Sequence, residues 1–155
     1  MLNLSRTGDL IDGLVDDIVR VHGLTLATSH VLAIIDSAGR PLSPHSLSRR
    51  LVVSRASVTG LLDALEKRSL IRRRPHPEDR RMLLIELTDE ARTVLAAFRP
   101  VLHQEELRVM ACLSEREQKQ LLRLLARVQA SLGELRQAAG ELGDARAGDG
   151  SPGST

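Results

Sequence analysis

A segment of only two residues, 52–53 (both valine), separates two predicted helices and restricts the fold more than any other feature of the chain. Ser43 and Pro44 supply an N-cap and a first-turn proline for a short helix that continues through Leu51. Ser54 can cap the next helix. Because the connection is so short, the two helices must meet at a sharp angle, which is the layout of a helix-turn-helix.

The second of these helices has two different faces. Val58, Leu61, Leu62 and Leu65 share one face and predict the core stripe of an amphipathic helix. Small residues on the other face would let the helix approach base edges in the major groove, and their methyl groups could contact thymine. The alternative is that these residues face water or another helix. The candidate DNA-binding residues of this segment are Ser54, Arg55, Ala56, Ser57, Thr59 and Gly60.

A basic hairpin is predicted directly after the helix-turn-helix. Five arginines fall between Arg72 and Arg81, with two prolines among them, and the apolar segment MLLIEL follows. Its alternation predicts a strand whose buried face carries Leu83, Ile85 and Leu87. A hairpin in this place is a wing, which would lie along the DNA backbone with its tip at the minor groove. Its candidate DNA-binding residues are Arg72, Arg73, Arg74, Arg80 and Arg81.

The positive charge of the chain is concentrated in its centre. The net formal charge is only +2, yet residues 40–81 carry 11 basic residues against four acidic ones. The remaining residues carry 11 basic residues against 16 acidic ones. A basic centre with acidic flanks indicates a localised anionic partner, whereas a solvated charged face is the alternative.

The run from Leu42 to Thr88 resembles the MarR family of winged-helix transcriptional regulators. The recognition helix VSRASVTGLLDALEKRSLIRR and the wing sequence DRRMLLIELT carry the resemblance, which extends more loosely over residues 3–136. It implies that Asp79, a further candidate DNA-binding residue, orients Arg81 by a charge-assisted hydrogen bond, and that Arg81 enters the minor groove. A surface Asp–Arg pair of little consequence is the alternative.

The chain departs from the family pattern at three positions. Family members often have glycine where this chain has Val52, Ser69 and Ala91. Because a β-branched valine tolerates positive φ poorly, we expect the turn between the two helices to differ locally from the family's.

The flanking segments predict a dimer. Ser114 and Glu117 form a capping-box pattern at the start of a long helix, and leucine and valine then recur at spacings of four and three residues. Such a heptad seam needs a partner helix, and packing against the predicted helix at 88–113 of the same chain is the alternative. The resemblance implies dimerisation through the N- and C-terminal helices. The candidate dimerisation residues are Leu10, Ile11, Leu14, Leu121, Leu125, Val128 and Leu132.

These features predict a mainly α protein, a winged helix-turn-helix with a two-stranded wing and flanking N- and C-terminal dimerisation helices. We expect an N-terminal dimerisation helix in residues 1–24, the DNA-binding region in 25–92 and C-terminal dimerisation helices in 93–136. Residues 137–155 are rich in Gly and Ala without apolar periodicity and predict a disordered tail.

The predicted function is transcriptional regulation by a homodimer that binds double-stranded DNA at a palindromic operator, as a repressor that a small molecule releases. The resemblance implies a small, often anionic aromatic effector bound between the dimer helices and the DNA-binding region. The chain has no Tyr or Trp and one Phe, so it has few rings with which to line such a pocket. The alternatives are a winged-helix protein-interaction module and a non-specific architectural DNA-binding protein.

Other classes of function lack support in the sequence. There is no phosphate-binding loop, no Cys/His cluster with metal-ligand spacing and no nucleophile–base pair, so neither an enzyme nor a cofactor or metal site is expected. We expect the single cysteine, Cys112, to be a buried, inert thiol. The absence of a secretory signal or a long apolar run predicts a cytoplasmic protein that does not enter membranes.

Overall fold

The computed structural model describes residues 2–51, 53–79 and 81–148 of the chain. These residues form a mainly helical structure with one two-stranded antiparallel sheet, which confirms the predicted fold class. None of the helices in this described part is both long and apolar enough to cross a membrane. The elements are α1 (Leu2–Arg20), α2 (Leu26–Ala38), α3 (Pro44–Leu51), α4 (Arg55–Lys67), β1 (Ile71–Pro75), β2 (Leu83–Leu87), α5 (Asp89–Met110) and α6 (Glu115–Gly148).

One hydrophobic core lies within the compact unit formed by residues 1–106. The predicted stripe of α4 contributes to it, since Val58, Leu62 and Leu65 are buried and Leu61 is half-buried. Burial of this stripe leaves the opposite side of α4 in solvent. The largest fully buried side chains of the core are Val19, Val31, Leu32, Leu42, Leu47, Val58, Leu62, Leu65, Leu70, Ile71, Ile85 and Leu95.

Local signals in the sequence fix the helix ends. The Ser43 hydroxyl accepts a hydrogen bond from the Ser46 N–H at 3.2 Å, as predicted for the N-cap of α3. The Ser54 hydroxyl accepts from the Ser57 N–H at 3.1 Å and caps α4 in the same way. At the end of α2, Gly39 has the left-handed conformation with φ 61°, which a glycine adopts without steric strain.

The wing pairs with the helix-turn-helix through a backbone contact that the sequence did not indicate. In β1 and β2, Arg73 lies opposite Ile85. On its other edge, Ile85 pairs with Leu42, which lies between α2 and α3. The Ile85 N–H donates to the Leu42 oxygen at 2.8 Å, and the Leu42 N–H donates to the Ile85 oxygen at 3.0 Å. The hairpin is therefore fixed to the segment that leads into α3.

The predicted buried face of β2 is correct for two of its three residues. Ile85 and Leu87 are buried, but Leu83 is 44% exposed. Leu83 lies opposite Pro75 at the outer end of the ribbon, where Pro75 and Met82 are also exposed. Alternation therefore predicted the correct face, while the core ends before the strand does.

Thr88 closes the base of the wing and begins α5. Its hydroxyl donates to the Ser69 oxygen at 2.7 Å and accepts from the Ala91 N–H at 3.2 Å, which confirms it as an N-cap. Ser69 has φ 57°, so a serine takes the left-handed conformation at a position where family members often have glycine. Ala91 is buried in the first turn of α5, where helical backbone does not require glycine. Val52 lies outside the described residues.

The unit formed by residues 107–155 contains the long helix α6. The predicted capping box is present, since the Ser114 N–H donates to Glu117 Oε2 at 2.8 Å and the Glu117 N–H donates to the Ser114 hydroxyl at 3.4 Å. Hydrogen bonds from the Ser114 side chain and backbone lower the pKa of Glu117. α6 continues to Gly148 and so includes residues 137–148, the first part of the segment predicted to be a disordered tail. Residues 137–147 include Ala, Leu, Glu, Gln and Arg, which favour helix, and residues 149–155 lie outside the described part.

Removal of the Thr88 hydroxyl should destabilise the folded chain. Thr88→Val keeps the branched shape but loses the cap of α5 and the bond to Ser69, so we expect the free energy of unfolding to fall by about 1–2 kcal/mol. Urea denaturation at a fixed protein concentration measures this change. Thr88→Ser keeps the hydroxyl and should lose less. Unchanged stability in Thr88→Val together with a loss in Thr88→Ser would show that the methyl group, rather than the hydroxyl, is responsible.

Candidate nucleic-acid interface

The exposed face of α4 carries the small residues that the sequence singled out. Ala56, Thr59 and Gly60 are exposed, and the buried stripe of the helix lies opposite them. Ser54 and Ser57 are also exposed, but their hydroxyls lie 2.8 Å apart within the N-cap of the helix. The side chain of Arg55 lies outside the described part. The structure thus brings five of the six candidate residues to the first two turns of one helix.

Gly60 has no structural requirement within the chain that accounts for it. A Cβ built at this position would meet nothing within 4 Å. A glycine inside a helix costs about 0.5–1 kcal/mol relative to alanine, because it loses more conformational freedom on folding. A surface that approaches from outside the chain would explain why no side chain is present here.

Arg73 ties the wing to α4. Its Nη2 lies 2.5 Å from Asp63 Oδ1 and its Nη1 lies 3.0 Å from Glu66 Oε2. The Arg73 side chain is only 27% exposed. Because the guanidinium is shared by two carboxylates of α4, we interpret Arg73 as a residue that positions the wing against this helix, although the sequence suggested direct DNA contact.

The two neighbouring arginines of β1 share one carboxylate on β2. Arg72 Nε pairs with Glu86 Oε1, and Arg74 Nε lies 3.1 Å from Glu86 Oε2. Both arginine side chains are at least half exposed. Since a guanidinium has five N–H donors, each arginine keeps donors that can bind a phosphate. Together with the pairs of Arg73, the three arginines of β1 meet three carboxylates.

The tip of the wing is a tight turn shaped by Asp79. Its Oδ1 accepts a hydrogen bond from the backbone N–H of Arg81 at 3.0 Å, and its carbonyl accepts from the Met82 N–H at 2.9 Å. Asp79 therefore contacts the Arg81 backbone, whereas the family resemblance implied its guanidinium, because a short Asp side chain readily bonds a backbone N–H two residues on. The Arg81 side chain is exposed and has no carboxylate partner among the described residues. Arg80 lies outside the described residues.

Two exposed arginines at the end of α3 were missed as candidates. Arg49 and Arg50 form its last turn, and together with His45 and Ser46 they border a shallow depression. In a helix-turn-helix the first helix crosses the DNA backbone, where basic residues can reach phosphates. The sequence feature that could have identified them is the pair of arginines just before the turn of the predicted helix-turn-helix.

The described residues contain no candidate metal centre. Among them, no group of three or more His, Cys, Asp or Glu residues could hold a metal ion. The prediction that Cys112 is buried is wrong, since it is exposed in the turn after α5, where its Sγ donates to the Val109 oxygen at 3.3 Å. Free cysteine is among the most often buried residue types, which led to the wrong prediction, whereas this one lies in a turn at the surface.

The flanking helices expose apolar side chains at the candidate dimerisation positions. In α1, Leu10 is 68% exposed and Ile11 is 46% exposed, while Leu14 is partly buried. In α6, Leu125 is partly buried, and Leu121, Val128 and Leu132 are exposed. In each of the two helices, exposed apolar side chains at helical spacing indicate a partner.

Comparisons with known proteins agree with this geometry. A family model described as "MarR family" matches residues 24–83. The HTH-type transcriptional repressor YetL of Bacillus subtilis is 35% identical over 95 residues, which span 61% of this chain and 57% of YetL. The HTH-type transcriptional regulator PecS of Dickeya dadantii is 31% identical over 131 residues, which span 83% of this chain and 79% of PecS. The crystal structure of a mutant MarR from E. coli complexed with operator DNA superimposes with a TM-score of 0.74 at 25% identity, covering 81% of this chain and 89% of that chain.

A methyl group at Gly60 should separate folding from DNA binding. Gly60→Ala should raise the free energy of unfolding by about 0.5–1 kcal/mol, since the Cβ meets nothing and alanine favours helix. The same methyl group should lower DNA affinity by about fivefold or more, comparable to the loss of one base contact. Urea denaturation and fluorescence anisotropy with a selected duplex measure the two effects.

Gly133 provides the matched control, because it is also a helical glycine with open space at the Cβ position but lies in α6, away from the seam residues. Gly133→Ala should gain stability without a change in DNA affinity. Unchanged affinity in Gly60→Ala would place this face of α4 outside the DNA interface.

Proposed function

This chain belongs to the MarR family of DNA-binding transcription regulators, and we propose that it reads a palindromic operator as a homodimer and represses transcription until a small effector releases it. In this proposal α4 enters the major groove and the wing reaches the adjacent minor groove. The proposal rests mainly on the exposed face of α4 around Gly60. That face combines small side chains, an open glycine and a buried stripe directly opposite.

The charges beside α4 support binding along the DNA backbone. Arg49 and Arg50 at the end of α3 and Arg81 at the wing tip are exposed basic residues. Phosphate contacts of this kind fix the position of a protein on the duplex, while base contacts from α4 supply the sequence preference.

The exposed apolar residues of α1 and α6 support the homodimer. A two-fold dimer presents two copies of α4, so it reads two half-sites about one helical turn of DNA, or a multiple of it, apart. We propose that Leu10, Ile11 and Leu14 of α1, and Leu121, Leu125, Val128 and Leu132 of α6, form the contact between the two copies.

Repression and release are the most specific parts of the proposal. YetL is named a transcriptional repressor, and we extend that activity to this chain. A small anionic aromatic molecule remains our proposed effector. Phe98, the one phenylalanine of the chain, is buried in the core, so aliphatic and basic side chains would have to line the effector site. In keeping with this role, we propose a cytoplasmic location.

Selection of random duplex DNA against the purified protein, followed by titration with salt, tests the function. Recovery of a palindrome with defined spacing supports the proposal. Binding without sequence preference indicates an architectural protein, and the absence of binding indicates a protein-interaction module.

Negative charge in the seam of α6 should separate the dimer. Leu125→Glu combined with Val128→Glu places two carboxylates on the proposed contact, so we expect single chains or unfolded protein at micromolar concentration. Analytical ultracentrifugation measures the association and circular dichroism measures the helix content. Ala126→Glu combined with Ala130→Glu adds the same charge to exposed positions on the far side of α6 and should remain dimeric. A folded dimer in the seam variant would mean that the seam packs within one chain.

Loss of Arg81 should weaken binding at all sites and relax any preference for A·T-rich flanks, where a narrow minor groove attracts arginine. In a dimer, Arg81→Ala should also flatten the slope of log affinity against log salt by up to about two, if each arginine displaces about one counterion. Arg6→Ala, which removes the same charge from the exposed surface of α1, should keep the slope. If Arg81→Ala folds and binds with unchanged affinity and slope, the wing tip does not contact DNA.

A further inference from the structure

Arg68, the residue directly after α4, reaches back to the turn that ends α1. Its Nη2 donates a hydrogen bond to the His22 carbonyl oxygen at 2.9 Å, and its Nη1 donates to the Gly23 carbonyl oxygen. The two partners lie more than 40 residues away in the sequence. One guanidinium therefore binds the carbonyl oxygens of two consecutive residues in the turn after α1.

The turn after α1 is shaped to receive this guanidinium. Gly23 has φ +69°, and a Cβ at this position would lie 3.1 Å from Arg68 Nη2. A side chain at Gly23 would therefore be strained by the backbone and crowded by the arginine. The turn is closed by the Gly23 N–H, which donates to the Arg20 oxygen at 2.8 Å, and the Leu24 N–H, which donates to the Val19 oxygen at 3.2 Å.

The chemistry of the contact requires an arginine. His22 and Gly23 lie in the turn just beyond Arg20, the last residue of α1, and their carbonyl oxygens are acceptors that a donor from outside the turn can reach. A guanidinium presents its donors in a planar fork that reaches two oxygens at once, whereas a lysine ammonium is a point charge on a flexible stem. Arg68 thus fixes the turn that follows α1 from the end of α4.

Both ends of the contact are anchored in the core. Val19 and Leu24 flank the turn and are buried, and the His22 ring packs against Phe98 with centroids 5.7 Å apart. On the other side, Leu65 and Leu70 flank Arg68 and are buried. The hydrogen bonds therefore join two rigid parts of the unit formed by residues 1–106.

We infer that Arg68 is a positioning residue, which fixes the recognition helix α4 relative to the N-terminal helix α1 and so sets the separation of the two recognition helices in the dimer. The inference rests on the proposed function, in which α1 contributes to the dimer contact and α4 reads DNA. Arg68 acts through α4 and does not itself touch the duplex. Its loss should therefore change which half-site spacing is bound, beyond any change in affinity.

A series of operators with half-sites moved by single base pairs tests this role. The wild-type protein should favour one spacing, and Arg68→Met, which keeps the aliphatic stem, should reduce that discrimination by about fivefold or more, the lower end of typical coupling between sites. Lys67→Met removes a neighbouring exposed cation of α4 and should keep the wild-type spacing preference while binding more weakly. Wild-type discrimination in Arg68→Met would overturn the inference.

Arg68→Lys keeps the positive charge but removes the planar guanidinium. It also replaces Arg68→Met as the test if Arg68→Met does not fold. It should lose spacing discrimination as well, because an ammonium cannot hold both carbonyls in the same geometry. Wild-type discrimination in Arg68→Lys would mean that the residue acts only as a charge, and would overturn the inference.

A measurement without DNA keeps this inference separate from the proposed function. Amide hydrogen exchange at Gly23 and Leu24 should be faster in Arg68→Met than in Lys67→Met, since only the first variant releases the turn. Equal exchange in the two variants would overturn the link between α1 and α4, whether or not the protein binds DNA. A protein that shows the faster exchange but binds no duplex would keep the link and lose the proposed function.

A substitution cycle provides a second readout without DNA. Gly23→Ala should lower the thermal midpoint more in the wild-type background than in Arg68→Met, because the Cβ meets the guanidinium only in the first. Equal shifts in both backgrounds would show that the guanidinium does not occupy the turn, and would overturn the inference.

Discussion

The winged helix-turn-helix depends on the backbone pairing of Ile85. This fully buried residue pairs with Arg73 on one edge of β2 and with Leu42 on the other. The first pairing forms the wing, and the second fixes the wing to the segment before α3. Because side chains alternate along a strand, a slip of one residue would turn Ile85 to solvent and Arg73 away from Asp63 and Glu66. A single register therefore determines both the hydrophobic core and the ionic contact between wing and recognition helix.

The distribution of charge follows from this register. Residues 72–74 are three arginines paired with three carboxylates, so the base of the wing contributes little net charge. The positive excess of the region is carried by exposed residues on either side of α4, which include Arg49 and Arg50 at the end of α3 and Arg81 at the wing tip. Dense arginine in the sequence thus serves two purposes. Part of it orders the hairpin, and the rest remains available to phosphates.

Local signals made the helices and strands predictable from the sequence, whereas contacts between residues distant in the sequence were not predictable. Ser54 and Thr88 cap the helices that they were predicted to cap, because a capping side chain bonds a backbone N–H within three residues. The pairing of Leu42 with Ile85 joins two single residues and leaves no periodicity to detect. Leu83 shows the remaining limit, since alternation indicates the face of a strand but not where the core ends. At the candidate site, residue types were predictable, whereas the pairing of the β1 arginines depends on which carboxylates the fold brings near.

The construction of α4 explains why its exposed face can serve recognition. With 13 residues, this helix would be marginal in isolation, since isolated helices shorter than about 12–15 residues are barely stable in water. Its order comes from the cap at Ser54, the buried stripe and the contacts of Asp63 and Glu66 with Arg73. The Arg68 contact adds a further constraint directly after the last turn. All of these contacts lie at the ends of α4 or on its buried and wing-facing sides. The fold therefore does not constrain the side chain at Gly60, and the surface around it remains open for the proposed contact with DNA.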